Sequence, residues 1–357
     1  MGLALMLGGG APTLTLETGA LAALDEMGVE FDAISTAGAG MLVGLLYAAP
    51  KGKSRQQALR DSRHMGVHDA IYQNFPINFK VFQKPGPMAE FYRQSLSMMP
   101  KTPLGGGSIE RFCGDWATLM LSSFCPSNLS ATSQGLCAHA PWIDDVVDFK
   151  KLKAFAGEFY MNAYNITDHQ MDIFHREEIT PDHFRAALAF PMIYPPYRLN
   201  GKLYIEGSAI DTLCFRGLLE YRHERIKKKE LKPLKHIIVF DVLSSENIIQ
   251  EPKSLYDAWI QSIMIPLVEI AKGDLKMFEH VHRQKWKNPP ELKKISFDIP
   301  KDYWPKILDW SYSNLEKLFE IGYRSGMTFY EENKAIFTKK NDRTVKAKTN
   351  SAPINPS

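Results

Sequence analysis

Cysteine is scarce in this chain: Cys113, Cys125, Cys137 and Cys214 are the four in 357 residues. They lie far apart, with no CxxC pair, and the histidines do not cluster. That spacing excludes a disulfide framework and a zinc site and reads as free thiols in a reducing compartment. Charge is nearly balanced: the formal net charge is +3, with 23% Asp, Glu, Lys and Arg. So slight an imbalance gives no footprint for nucleic acid, which is not expected as a partner. No apolar run reaches the roughly 18 residues a membrane span needs. The apolar start Met1–Leu7 carries no basic residues and runs into Gly8-Gly9-Gly10, so it reads as a buried strand rather than a signal peptide. Gly2 is not a myristoylation site, because Met6 stands where Ser or Thr is required. The expectation is a cytoplasmic protein, free or held peripherally at the inner face of a membrane.

Hydrophobic residues are plentiful at 45%, enough for one large α/β domain or two ordinary ones. Periodicity predicts strands at Leu3–Leu7, Ala33–Ser35, Glu158–Tyr164, Leu203–Ile205 and His236–Val242. Helices are predicted over Leu14–Glu26, Gly40–Ala48, Ser54–Gly66, His183–Ala189, Ser254–Lys272 and Trp304–Lys334. Strands alternating with helices imply a largely parallel sheet covered on both faces. Between residues 68 and 147 aromatics, prolines and glycines alternate, as in FPINFKVFQKPGPMAEFY. This segment is an insertion after the second helix, either a lid or acyl-chain pocket or a plain surface elaboration. One domain is expected over 1–337, followed by a basic, polar, disordered tail over 338–357. The basic run Arg222–Lys235 reads first as a solvated helix face, with an anionic membrane surface as the sharper alternative.

Three short segments carry the chemistry. Gly8-Gly9-Gly10 follows a strand and precedes a helix, where backbone N–H groups can converge on a phosphate or an oxyanion. No Gly-Lys-Ser/Thr follows and the spacing is not GxGxxG, which excludes a P-loop and disfavours a dinucleotide fold. The second segment, Ser35-Thr36-Ala37-Gly38-Ala39-Gly40, has the form of a nucleophile elbow, whose neighbours two positions away must be small. A register centred on Ala37 has Ser35 and Ala39 as flanks; one centred on Gly38 has Thr36 and Gly40, and Thr is the poorer fit. Ser35 lies too early, within the strand. Ala37 is therefore the expected nucleophile position, and alanine cannot attack. In the third segment, Phe184–Ser208, a helix ends at a proline-rich turn, a hairpin follows, and a strand delivers Glu206 ahead of Gly207. Glu206 could deprotonate a serine hydroxyl as half of a two-residue device, with Asp211 as a competing acid. Alone, Glu206 would be read as a strand-end surface acid.

These segments, in this order, resemble the patatin-like phospholipases. That family has a GGGxR/K turn, a GxSxG elbow within about thirty residues and a DG[G/A] motif supplying the acid of a Ser–Asp dyad. The likeness covers Leu3–Ala48 and about Gly157–Val242, including GEFYMNAYNITD and ALAFPMIYPPY. It implies a three-layer α/β fold with a mostly parallel central sheet, and a serine acyl hydrolase that acts on phospholipid or another acyl ester without a cofactor or metal. The departures are Pro12 for the Arg or Lys, STAGAG for the elbow and Glu206-Gly207-Ser208 for the acid motif. The chain is most similar to a bacterial subgroup with an STSGAGM elbow and an EGS acid motif, which often accompanies 3-hydroxybutyrate dehydrogenases. The likeness implies such a dehydrogenase as a protein partner. It also implies that Ala37 replaces a serine, either by an engineered Ser→Ala exchange or in a natural pseudoenzyme acting as a lipid-binding scaffold. With serine restored at 37, that hydroxyl would attack the ester, Glu206 would take its proton, and Gly8, Gly9 and Gly10 would hold the oxyanion. Ser35, Thr36, Gly38, Ala39 and Gly40 form the elbow around it.

The remaining features read as structural. His64, His68, His169, His175 and His183 are surface or core histidines. The Asn128 and Asn165 sequons carry no weight without a secretory signal. The aromatic stretch Trp304–Phe337 reads as core packing, with an interfacial or partner-binding helix as the alternative. Ser254–Lys272, apolar round much of its circumference, is expected to be buried in the core or at a subunit contact rather than inserted in a membrane.

Overall fold

The protein is described by a computed structural model covering residues 2–337, apart from 12, 98–106, 228–230, 241, 244, 286–287 and 307. Pro12 and the 338–357 tail lie outside the described residues. Among those described, eight strands form one sheet: β1 (Gly2–Leu7), β2 (Ala33–Thr36), β3 (Glu158–Asn165), β4 (Gln170–His175), β5 (Tyr197–Leu199), β6 (Lys202–Glu206), β7 (Leu234–Phe240) and β8 (Glu291–Lys294). Their order is β5-β6-β3-β2-β1-β7-β8, with β4 also paired to β3. The pairs β1–β2, β1–β7, β2–β3 and β7–β8 are parallel, whereas β4, β5 and β6 join antiparallel. The sheet is mixed and mostly parallel, flanked by helices.

Because side chains alternate across a strand, each central strand feeds two cores. Leu3, Leu5, Leu7, Ile34, Phe159, Met161, Ile238 and Phe240 belong to the larger cluster. Ala4, Met6, Ala33, Tyr160, Ile237 and Val239 face the opposite side, against Leu213–Leu219 and Phe278. On the larger side lie α1 (Leu14–Glu26), α2 (Gly40–Ala48) and the last helix, Tyr312–Glu332. The last helix and α1 meet backbone to backbone. A β-carbon on Gly19 would lie 2.2 Å from the Phe319 carbonyl oxygen, and one on Gly322 2.0 Å from that of Leu16. Of the two readings of Trp304–Phe337, core packing is the one observed: Leu315, Leu318, Phe319 and Ile321 are all buried.

Several boundaries differ from the sequence expectation. The last helix starts at Tyr312 rather than Trp304; Lys301–Lys306 form a 3₁₀ turn, and Ser311 sits in an extended conformation as the N-cap. The expected helix Ser54–Gly66 is Arg55–Asp61 followed by a 3₁₀ turn, with the Ser54 hydroxyl accepting from the Gln57 N–H. The basic run 222–235 is not wholly a solvated face. Arg222 is buried and donates to the Lys232 carbonyl, and Arg225 pairs with Glu158. The 68–147 segment holds helices at Asp69–Asn74, Pro87–Ser97, Ser108–Phe124 and Ile143–Val146.

Candidate active site

Two loops meet because two strands share one edge of β3. Met161 of β3 pairs with Thr36, the last residue of β2. Ala163, two residues on, pairs with Glu206, the last residue of β6. On its other edge Ala163 pairs with Asp172 of β4, so β2 and β6 run toward each other along the same side. Their C-terminal ends converge on the gap between them. β1 adds the third loop at that end, since Leu7 pairs with Thr36 and Gly8 follows it. Loops at the carboxyl ends of parallel strands are where α/β sheets place their sites.

At the end of β2, alternation decides which residue faces this gap. Ala33, Ser35 and Ala37 all point to the second core. The Ser35 hydroxyl donates to the Cys214 carbonyl at 2.8 Å, and Ala37 is fully buried in the cluster with Leu213 and Cys214. Thr36 points the other way, its hydroxyl donating to the Tyr160 carbonyl at 2.9 Å. The chain then leaves the sheet at Gly38, whose φ is +53°, a left-handed conformation that side chains seldom adopt. A β-carbon built on Gly38 would lie 2.8 Å from both Glu206 Oε1 and Ser208 Oγ, and 3.0 Å from the Gly9 Cα. Of the two registers weighed for the elbow, Gly38 is the residue that faces Glu206, and Ala37, expected at the nucleophile position, lies in the core. The small flank that matters is Gly40, where a β-carbon would come 2.3 Å from the Gly8 carbonyl oxygen.

Glu206 is buried, and burial pushes its carboxyl up to about 7 although the Ser208 hydrogen bond pulls the other way. The Ser208 hydroxyl donates to Glu206 Oε1. Asp211, the competing acid, is engaged elsewhere: its Oδ1 accepts the Cys214 N–H at 2.7 Å, which fixes the turn below the site. Burial raises the carboxyl of Asp211, and raises that of Asp274 to about 7. Asp274 Oδ2 accepts both the N–H and the hydroxyl of Thr212.

The glycine turn is closed by Thr13, whose hydroxyl donates to the Gly10 carbonyl at 2.7 Å, with Gly10 at φ +117°. The Gly8 N–H, just past the end of β1, donates to the Phe240 carbonyl at 3.2 Å. Gly9 lies against the acid loop: a β-carbon there would sit 3.3 Å from the Ser208 β-carbon and 3.4 Å from its hydroxyl oxygen.

A strand-turn-helix elbow, a glycine turn before α1 and a buried strand-end acid thus sit at one end of one sheet. The family model described as patatin-like phospholipase matches residues 5–219. The chain belongs to that family. No curated protein matches it. Among solved structures it is similar to VipD from Legionella pneumophila, with 14% identity and a TM-score of 0.40 over 93% of this chain. It spans 66% of that protein's length.

At this end of the sheet the last part of the 68–147 segment docks on the loop before β5. Leu136 and Cys137 donate their N–H groups to the Ile193 carbonyl, and His139 Nε2 lies 2.6 Å from the Pro195 oxygen. Tyr194, on this loop, is buried near Glu206 and Cys137. Burial pushes the Cys137 thiol up to about 11, so it is not an activated nucleophile. Ser208 was missed in the sequence; the signal was there in EGS, where a hydroxyl replaces the small third residue of DG[G/A].

Proposed function

We propose that this chain binds a lipid acyl ester at the loops that carry Gly9, Gly38 and Glu206, with Glu206 as the proton acceptor. In this reading Gly38, rather than Ala37, occupies the elbow's nucleophile position, so the elbow contributes no hydroxyl of its own. The observation that carries it is the convergence of Glu206 Oε1 and Ser208 Oγ on the β-position of Gly38. A lipid substrate is supported by the helix Ser108–Phe124, where Ile109, Phe112, Trp116, Met120 and Phe124 recur at helical spacing and are all exposed. That apolar stripe suits an acyl-rich surface, and it makes the 68–147 insertion the lipid-facing part of the domain. Among the described residues no helix is long and apolar enough to cross a membrane, so contact with lipid would be peripheral.

The test is the double variant G38S/S208G, which returns a serine to the elbow and clears the space it needs. Expected is hydrolysis of p-nitrophenyl esters and phospholipid vesicles, which adding Glu206→Gln lowers on the order of 10⁴-fold. The bare Gly38 favours a second reading, a catalytically silent lipid-binding scaffold. That reading prevails if the double variant binds vesicles and hydrolyses no ester.

A further inference from the structure

We propose that Ser208 is the nucleophile of this chain: the hydroxyl missing from the elbow is supplied by the acid loop, and Ser208 with Glu206 forms an acyl-transfer dyad for carboxylic esters. The inference rests on the acyl-ester reading above and names the atom that would attack.

Three observations converge on it. The Ser208 hydroxyl donates to Glu206 Oε1, the hydrogen bond a serine nucleophile needs with its base. It occupies the space that an elbow side chain would fill, 2.8 Å from the β-position of residue 38, and Gly9 of the glycine turn packs against it. A side chain at 38 and the observed Ser208 conformation exclude each other, so the bare elbow and the serine on the acid loop are complementary. Third, the loop is held. Gly207–Ala209 form a 3₁₀ turn, and the Gly207 carbonyl accepts from the N–H groups of Ile210 and Asp211 at 3.0 and 2.9 Å. The other hydroxyls of the elbow are committed, Ser35 to Cys214 and Thr36 to Tyr160, each to a carbonyl within the fold.

The chemistry balances without a further reactant. Ser208 Oγ forms a bond to the ester carbonyl carbon while Glu206 takes the hydroxyl proton, and Gly9, packed against Ser208, is the backbone nearest the developing oxyanion. The bond to the leaving alcohol breaks as Glu206 returns that proton to it. Water then attacks the acyl-Ser208 with Glu206 as base, releasing the carboxylic acid and restoring the serine.

The unaltered full chain is treated with a fluorophosphonate, the adduct is mapped by peptide mass spectrometry, and p-nitrophenyl butyrate hydrolysis is followed alongside. Expected is a label on Ser208, together with turnover that falls at least 10³-fold in S208A. Mapping on the unaltered chain does not depend on any variant folding. A label on another residue, or S208A turning over at the wild-type rate, overturns the proposal. An unlabelled, silent wild type beside an active G38S/S208G also overturns it while leaving the acyl-ester reading intact. Silence of both removes the two together.

Discussion

Placing a serine at residue 37 or at residue 38, each in an S208G background, separates the two elbow registers. Ala37 is fully buried beside Leu213 and Cys214. A hydroxyl there enters an apolar cluster, and without a partner it costs about 1–3 kcal/mol. At Gly38 the cost has other sources. A φ of +53° is worth about 1–3 kcal/mol for a side chain. The new β-carbon also meets Glu206 Oε1 and Ser208 Oγ at 2.8 Å. Replacing Ser208 with glycine removes the second contact, and Glu206 can turn at its far end. Stability alone therefore does not distinguish the two, and both variants should melt a few degrees lower, at about 2–4 °C per kcal/mol. Hydrolysis does distinguish them. Only the serine at 38 lies beside Glu206, so G38S/S208G should hydrolyse p-nitrophenyl butyrate at least 10²-fold faster than S208G, and A37S/S208G no faster than S208G. Turnover by the Ala37→Ser variant with none from the Gly38→Ser variant would refute the register.

Glu206, raised to about 7 from an ordinary 4.5, binds its proton more tightly in the folded chain than in the unfolded one. Its contribution to stability is therefore present below about pH 4.5 and lost as pH rises through about 7. Asp274 and Asp211 act in the same direction, so the informative quantity is a difference: the melting temperature of E206Q should fall less between pH 5 and 8 than that of the wild type, and parallel curves would contradict the assignment. Because the base must be ionised, ester hydrolysis should rise with pH to a plateau above about 7, and a rate already at its plateau at pH 5 would exclude Glu206 as the base. Gly322→Ala gains about 1 kcal/mol of helix propensity but forces the last helix off Leu16, where overpacking costs up to about 3 kcal/mol. A net loss of about 2 kcal/mol should lower the melting temperature, and an unchanged or raised midpoint would show that the contact yields easily. Replacing Ile109 and Phe124 by aspartate removes two exposed apolar anchors, each worth about 1.5–3 kcal/mol if buried in lipid. Binding to phospholipid vesicles should weaken at least tenfold with the melting temperature unchanged, and unaltered binding would exclude this stripe as the lipid contact.

The buried strands were legible because β1 is wholly apolar and β3 and β7 carry the apolar runs FYM and IIVF, as central strands covered on both faces do. β4 (QMDIFH) and β8 (ELKK) were not, since they carry the polar and charged residues of less buried strands. The three loops of the site could be found from their glycines and the acid. The register of the elbow could not be fixed by the size of its flanks alone: Thr36 fits because its hydroxyl reaches the Tyr160 carbonyl, a partner distant in sequence. The alternation Ala33, Ser35, Ala37 already pointed those residues to one face, with glycine next. The packing of Ser208 against Gly9 and Gly38 depends on loops that β3 brings together, which no local pattern encodes.

That dependence on β3 has a consequence for how the chain can change. The elbow and the acid are joined in sequence by about 170 residues, yet their separation is set by the two-residue step from Met161 to Ala163, about 7 Å of extended backbone. The intervening chain, including the whole 68–147 segment, can be lengthened, exchanged or rebuilt for a new substrate without altering the spacing of the chemistry. Deleting Asn162 alone would do what no loop graft does: turn every later β3 side chain to the opposite face and part Glu206 from Gly38. The domain thus separates an adjustable surface from a fixed centre, and the boundary between them is a single strand.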